Sequence, residues 1–133
     1  MKKLKQRELN DCLKTSICCL LDLNHNDLPC YYNWMVTNLG TIFRSDPEFE
    51  KKYFYGLLKA KNHINKDLKK YNKKLRITKK IPKQEHIKVI LHSIYGGHAV
   101  VGKGKEIIHD PGANPIDSYD EYSNPVNFYV DDI

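Results

Sequence analysis

Nowhere in its 133 residues does this chain hold an apolar run near the ~20 needed to cross a bilayer. Its basic opening, Met1-Lys2-Lys3-Leu4-Lys5, lacks the apolar stretch that follows in a signal peptide. A cytoplasmic protein with no membrane partner is the expectation. Cysteine is sparse: Cys12, Cys18, Cys19 and Cys30 form no CxxC pair, and the adjacent two have poor geometry for a disulfide or a shared zinc. The six histidines are scattered without ligand spacing, so neither a structural metal nor a cofactor is expected. Free thiols in a reducing compartment fit best, with Cys18, Cys19 and Cys30 as small hydrophobes in or near the core. Internal repeats and low-complexity linkers are missing too. With 41% apolar residues the chain reads as one globular domain spanning 1–133.

Acidic residues are scarce in one stretch. From Lys51 to Lys88, thirteen lysines and Arg76 stand against only Asp67 and Glu85. From Asp110 onward the balance reverses, with Asp117, Asp120, Glu121, Asp131 and Asp132. Such asymmetry marks either a surface for nucleic acid or an acidic protein, or a solvated helix face.

Periodicity divides the chain in two. Leu13, Ile17, Leu20 and Leu21 recur at three and four, predicting an amphipathic helix over about 12–22 with Asn10 or Asp11 as its cap. A second helix is predicted over about 31–40, ended by Gly40. A third follows Ser45-Asp46-Pro47, with Ser45 or Asp46 capping and Pro47 in the first helical position. Phe49, Tyr53, Leu57 and Leu58 would be its buried stripe, and Ile64, Leu68, Tyr71 and Leu75 continue the pattern. After Pro82 the period becomes strand-like, in Val89-Ile90-Leu91, Ala99-Val100-Val101, Glu106-Ile107-Ile108 and Val126–Val130. Gly102-Lys103-Gly104-Lys105 reads as a tight hairpin. The fold class is α+β: a helical part, about 1–75, packed on an antiparallel sheet, about 76–133.

Within that frame one constellation carries chemistry. Gln6 precedes Asp11-Cys12 at a helix start, Gly96-Gly97-His98 opens a strand, and His109-Asp110-Pro111-Gly112 closes the next. An ordinary thiol, pKa ~8.5, is mostly protonated at neutral pH and needs help to attack. A helix N-terminus and a nearby imidazolium both favour its anion. His98 is the best partner for Cys12, because the two preceding glycines allow close approach; His92 and His109 compete for the role. Asp110 would orient the imidazole, since a hairpin turning near Gly102–Lys105 sets residues near 98 and 109 opposite each other. The Gln6 amide and the Cys12 backbone N–H are candidate oxyanion donors. Taken singly, Cys12 also reads as a core thiol, His98 as a strand histidine and Asp110-Pro111-Gly112 as a turn.

The order Gln6…Asp11-Cys12…Gly97-His98-Ala99-Val100-Val101…His109-Asp110-Pro111 resembles the papain-like cysteine peptidases, most of all their small C39-like branch. Asp11-Cys12-Leu13, Leu28-Pro29 and His109-Asp110-Pro111 are also similar to small bacterial and phage proteins. Residues 40–95 match nothing in that pattern. The resemblance implies a papain-like fold, Cys12 as nucleophile, His98 as general base and acid, Asp110 as orienting residue and Gln6 as oxyanion donor. Leu13 departs from it, standing where C39 peptidases place glycine, so cleavage after a double glycine is not implied. The expectation is a cysteine hydrolase acting on a peptide, isopeptide or related amide, with deamidation and transamidation open to the same machinery. The alternative is a catalytically silent papain-like scaffold that binds nucleic acid or an acidic protein through 51–88; Tyr53, Phe54, Tyr55 and Tyr71 could stack on bases there, though their helical spacing favours a place in the core.

Overall fold

The computed structural model describes residues 1–7, 11–40, 45–92, 96–112 and 126–133. Helix α1 (Cys12–Leu21) forms where its apolar period predicts, and Asp22 ends it in the left-handed conformation (φ 55°). A 3₁₀ turn (His25–Asp27) follows, held by reciprocal bonds between Asn24 and Asp27. Helix α2 (Tyr32–Leu39) stops at Gly40, whose φ of 69° suits a residue without a Cβ.

Helix α3 (Phe49–Leu68) starts later than its sequence signals imply. Glu48, not Ser45 or Asp46, holds the N-cap position, and Pro47 lies outside the helix. Asp46 instead accepts from the Glu48 N–H at 2.8 Å in a turn of its own. The buried stripe also shifts, to Gly56, Leu57, Ala60, Ile64 and Leu68, with Tyr53 half-buried beside it.

Strands β1 (Lys73–Thr78), β2 (Glu85–His92), β3 (Gly96–Lys103), β4 (Glu106–His109) and β5 (Val126–Asp132) make one antiparallel sheet in the order β1-β5-β2-β3-β4. Strand β1 corrects the predicted boundary near residue 75. Leu75 belongs to the sheet, paired with Val130, and Tyr71 ends a 3₁₀ turn (Lys69–Tyr71). The helix stops because Asn72 turns left-handed at φ 58° and the chain reverses. In this edge strand the charged residues Lys73, Lys74 and Arg76 mask the alternation of Leu75 and Ile77.

One apolar cluster joins Leu13, Ile17 and Cys18 of α1 to Leu57, Ile64 and Leu68 of α3 across Leu75, Ile87, Val89, Ala99 and Phe128. Phe128 is 0% exposed and lies in register between Ile77 and Ile87, so it anchors the sheet's middle. Each such buried side chain stabilises by roughly 1.5–3 kcal/mol. Among the described residues no helix is long and apolar enough to cross a membrane.

Candidate active site

Helix α1 is docked on β3 through Ser16, whose buried hydroxyl donates to the Ala99 carbonyl at 3.3 Å. Cys12 stands four residues earlier, so it shares that face one turn nearer the helix start. The thiol is half-buried, and the strand residue before Ala99 is His98. Cys12 stands close enough to His98 to raise the pKa of its imidazole.

The other side of the ring is held by the acid. His98 Nε2 lies 2.8 Å from Asp110 Oδ1, and both side chains are largely buried. Nδ1 is then the nitrogen left for the sulfur, the reverse of the serine-protease template, where Nε2 faces the nucleophile. Burial pulls the His98 pKa down, but the bonds to Cys12 and Asp110 and their charges outweigh it. The net result lies above the ordinary 6.5.

The contact arises by a route different from the predicted one. His109 pairs with Val101, not with a residue near 98, and a register shift at Val101/Gly102 separates the ladder into two parts. The turn narrows to Gly104-Lys105, with Lys103 facing Glu106 and Gly104 at φ 60°. Asp110 lies just beyond β4 and reaches back to His98 from the exit loop. There Gly112 N–H donates to the same Oδ1 at 2.8 Å, fixing the carboxylate. A Cβ on Gly112 would sit 3.0 Å from that oxygen and 3.5 Å from His98 Cε1. Gly112 is therefore a site residue; its signal in the sequence was the Asp-Pro-Gly turn, read only as a turn.

Residues 1–7 cross from α1 to this exit loop. Leu4 N–H donates to Cys19 Sγ, the Leu4 carbonyl meets His109 Nε2 at 2.6 Å, and Lys5 Nζ donates to the Asp110 carbonyl at 3.0 Å. Gln6 N–H then donates to the Pro111 carbonyl at 2.7 Å. Gln6 is thus tied one residue from Asp110. The bond to a carbonyl makes His109 Nε2 a donor, so His109 is a clamp for this segment and not a rival base. The side chain of His92 lies outside the described residues, as do Asn10, Asp117, Asp120 and Glu121.

No family model, curated protein or solved structure matches the chain.

Cys30 is half-buried like Cys12, but the other two thiols differ from it. Cys18 and Cys19 are fully buried, and burial pushes the Cys18 pKa up to about 11 and raises that of Cys19. Both stay protonated at neutral pH. Asp11 departs from its predicted role: it occupies the N-cap position, but its side chain makes no cap hydrogen bond. The carboxylate, 1% exposed, instead lies 2.5 Å from Nε2 of His25, a residue the sequence did not single out.

In the basic region, Tyr53, Phe54 and Tyr71 pack against the core. Only Tyr55, 59% exposed, presents its ring freely, with Lys59 over it at 5.2 Å. Three of the four aromatics thus follow the core reading that their helical spacing favours over base stacking.

Proposed function

We propose that this protein is a papain-like thiol hydrolase of the C39-like kind, cleaving a peptide, isopeptide or related amide bond through an acyl-enzyme. The supporting observation is the His98 Nε2–Asp110 Oδ1 pair at 2.8 Å, with Cys12 near enough to the same imidazole to raise its pKa. A structural histidine needs no thiol on one ring edge and a backbone-fixed carboxylate on the other. A nucleophile–base pair does.

On this reading His98 takes the proton of Cys12, and the thiolate attacks the amide carbonyl carbon. As the C–N bond breaks, His98 returns its proton to the departing nitrogen. Water then adds to the thioester with His98 accepting a proton, the C–S bond breaks, and the product leaves as a carboxylic acid. Deamidation is the same sequence with ammonia departing; transamidation replaces water with an amine. Asp110, fixed by Gly112, holds the ring with Nδ1 toward sulfur. The raised His98 pKa favours the imidazolium that donates this proton. Gln6 serves as one oxyanion donor and the Cys12 N–H as another; removing one such donor costs about 10²–10³ in turnover.

Site-resolved alkylation by iodoacetamide tests the pair directly. Cys12 is expected to react below pH ~7, ahead of an ordinary thiol near ~8.5, and to lose that reactivity in His98→Ala. If Cys12 behaves as an ordinary thiol in the wild type and is indifferent to His98→Ala, the hydrolase reading is wrong.

A further inference from the structure

Asp11 poses a problem for the site it precedes. Aspartate is among the favoured N-cap residues because its oxygen accepts from the free N–H groups of the first turn. On α1 that would spoil the chemistry: a capping carboxylate would occupy donors and add negative charge beside a sulfur that must become an anion. The structure avoids this. Asp11 makes no side-chain cap bond, although its backbone carbonyl does accept the first helical bond from Thr15 N–H at 3.0 Å. Its backbone sits at φ −107°, ψ 9°, not in the extended region usual for a cap. The carboxylate turns into the protein, where Oδ2 and His25 Nε2 approach to 2.5 Å as a buried close pair; the approach lacks hydrogen-bond geometry, and Oδ1 likewise has no hydrogen bond among the described residues.

His25 is itself held in place. It opens the 3₁₀ turn after α1, and that turn is closed by the Asp27 carboxylate accepting from Asn24 N–H at 2.8 Å. Tyr71 bonds the Asp27 carbonyl at 3.4 Å, and Arg7, from the N-terminal segment, reaches Asn26 at 3.5 Å. The imidazole is 7% exposed, so its position is set by packing.

We propose that His25 is a positioning residue for the thiol site: by holding the Asp11 carboxylate away from the N-terminus of α1, it keeps the first-turn N–H groups and their partial positive charge free for the Cys12 thiolate and the substrate oxyanion. This rests on the hydrolase reading above. It makes an unusual prediction about pairs of substitutions. Losing His25 alone frees an unpartnered carboxylate to swing onto the helix end. Losing both residues removes the intruder.

The test is Cys12 alkylation at mildly acid and neutral pH in wild type, His25→Ala, Asp11→Ala and the double variant, with catalytic turnover added once a substrate is known. His25→Ala is expected to slow Cys12 about tenfold or more, while Asp11→Ala and the double variant stay within about threefold of wild type, tenfold being 1.4 kcal/mol. Protection of Cys18 and Cys19 from the same reagent reports an intact fold in each variant. A pair needed only for folding gives the opposite pattern, with the double variant at least as impaired as either single one. That result, or an unchanged rate in folded His25→Ala, overturns the proposal. If His25→Ala exposes Cys18 and Cys19, two comparisons carry the test. His25→Gln, which keeps a donor near Asp11, should match wild type, and the double variant should match Asp11→Ala; a tenfold gap in either overturns it. Failure of the hydrolase reading shows separately, as a wild-type Cys12 rate that ignores His98→Ala.

Discussion

Asp110 Oδ1 accepts two hydrogen bonds of 2.8 Å, one from the His98 ring and one from Gly112 N–H. The second makes the first reliable, because a carboxylate fixed by backbone cannot turn away when the imidazole changes charge. Gly112→Ala is expected to lower turnover about tenfold or more while barely moving the melting temperature. Its Cβ would press on that oxygen and touch the ring edge at ordinary contact distance, yet φ at this position needs no glycine. A large stability loss with normal turnover would contradict this. The charge state of His98 gives a second measurement. Because its folded pKa is raised above 6.5, the stability it contributes is full below ~6.5 and fades as pH rises through the raised value. The melting-temperature gap between wild type and His98→Gln should therefore shrink from about pH 6 to about pH 9. Imidazole proton resonances followed by NMR should show His98 titrating above the ordinary range in wild type and lower in Asp110→Asn.

At the level of elements, the edge strand β1 depends on one helix side chain. Asn65 of α3 donates to the Leu75 carbonyl at 3.0 Å and accepts from Leu75 N–H at 2.6 Å, satisfying the strand's outer backbone. Asn65→Ala strands both groups of a residue only 1% exposed, and is expected to cost about 2–3 kcal/mol. Thermal melting of the variant against wild type measures it; a shift near zero would mean water replaces the amide without penalty. This strand was also the part of the fold least legible in the sequence. Leu75 lies four residues beyond Tyr71 and two before Ile77, so one leucine fits a helix face and a strand face equally. What decides is Asn72 in the left-handed conformation, and asparagine within a lysine run carries no strong stop signal. Helix α1 and the strand runs were legible because apolar residues mark them at helical or strand spacing. The pieces of the candidate site were legible through the same punctuation, a glycine pair before His98 and Asp-Pro-Gly at 110–112. The Asp11–His25 pair was not: a short acid before a helix reads as a cap, and only the fold brings in the histidine that takes it away.

Across the whole molecule, charge and chemistry are laid out at different edges of one sheet. The lysine-rich chain forms α3, the 3₁₀ turn after it and β1, and it continues into β2. Cys12 and His98 lie on α1 and β3, and three strand spacings, about 14 Å, separate β1 from β3. Charges that far apart and facing water are largely screened from each other at physiological salt, where the Debye length is ~8 Å. The lysines of β1 therefore do not tune the thiol, and the sequence asymmetry calls for a separate account. A solvated face suffices for solubility, while an acidic substrate region reaching across the sheet would use the exposed Lys59 and Lys66 to bind without touching the reacting atoms. Reversing both, as Lys59→Glu with Lys66→Glu, separates these possibilities. Alkylation of Cys12 by a small neutral reagent is expected to stay within about twofold of wild type, because both lysines are exposed on α3 and water and salt screen their charges. If cleavage of a protein substrate falls in the same variant and the wild-type rate declines with added salt, the basic edge recruits substrate by charge. If neither changes, the lysines are a solvated surface. A drop in Cys12 alkylation itself would show that the two edges are coupled, against the separation that the strand order implies.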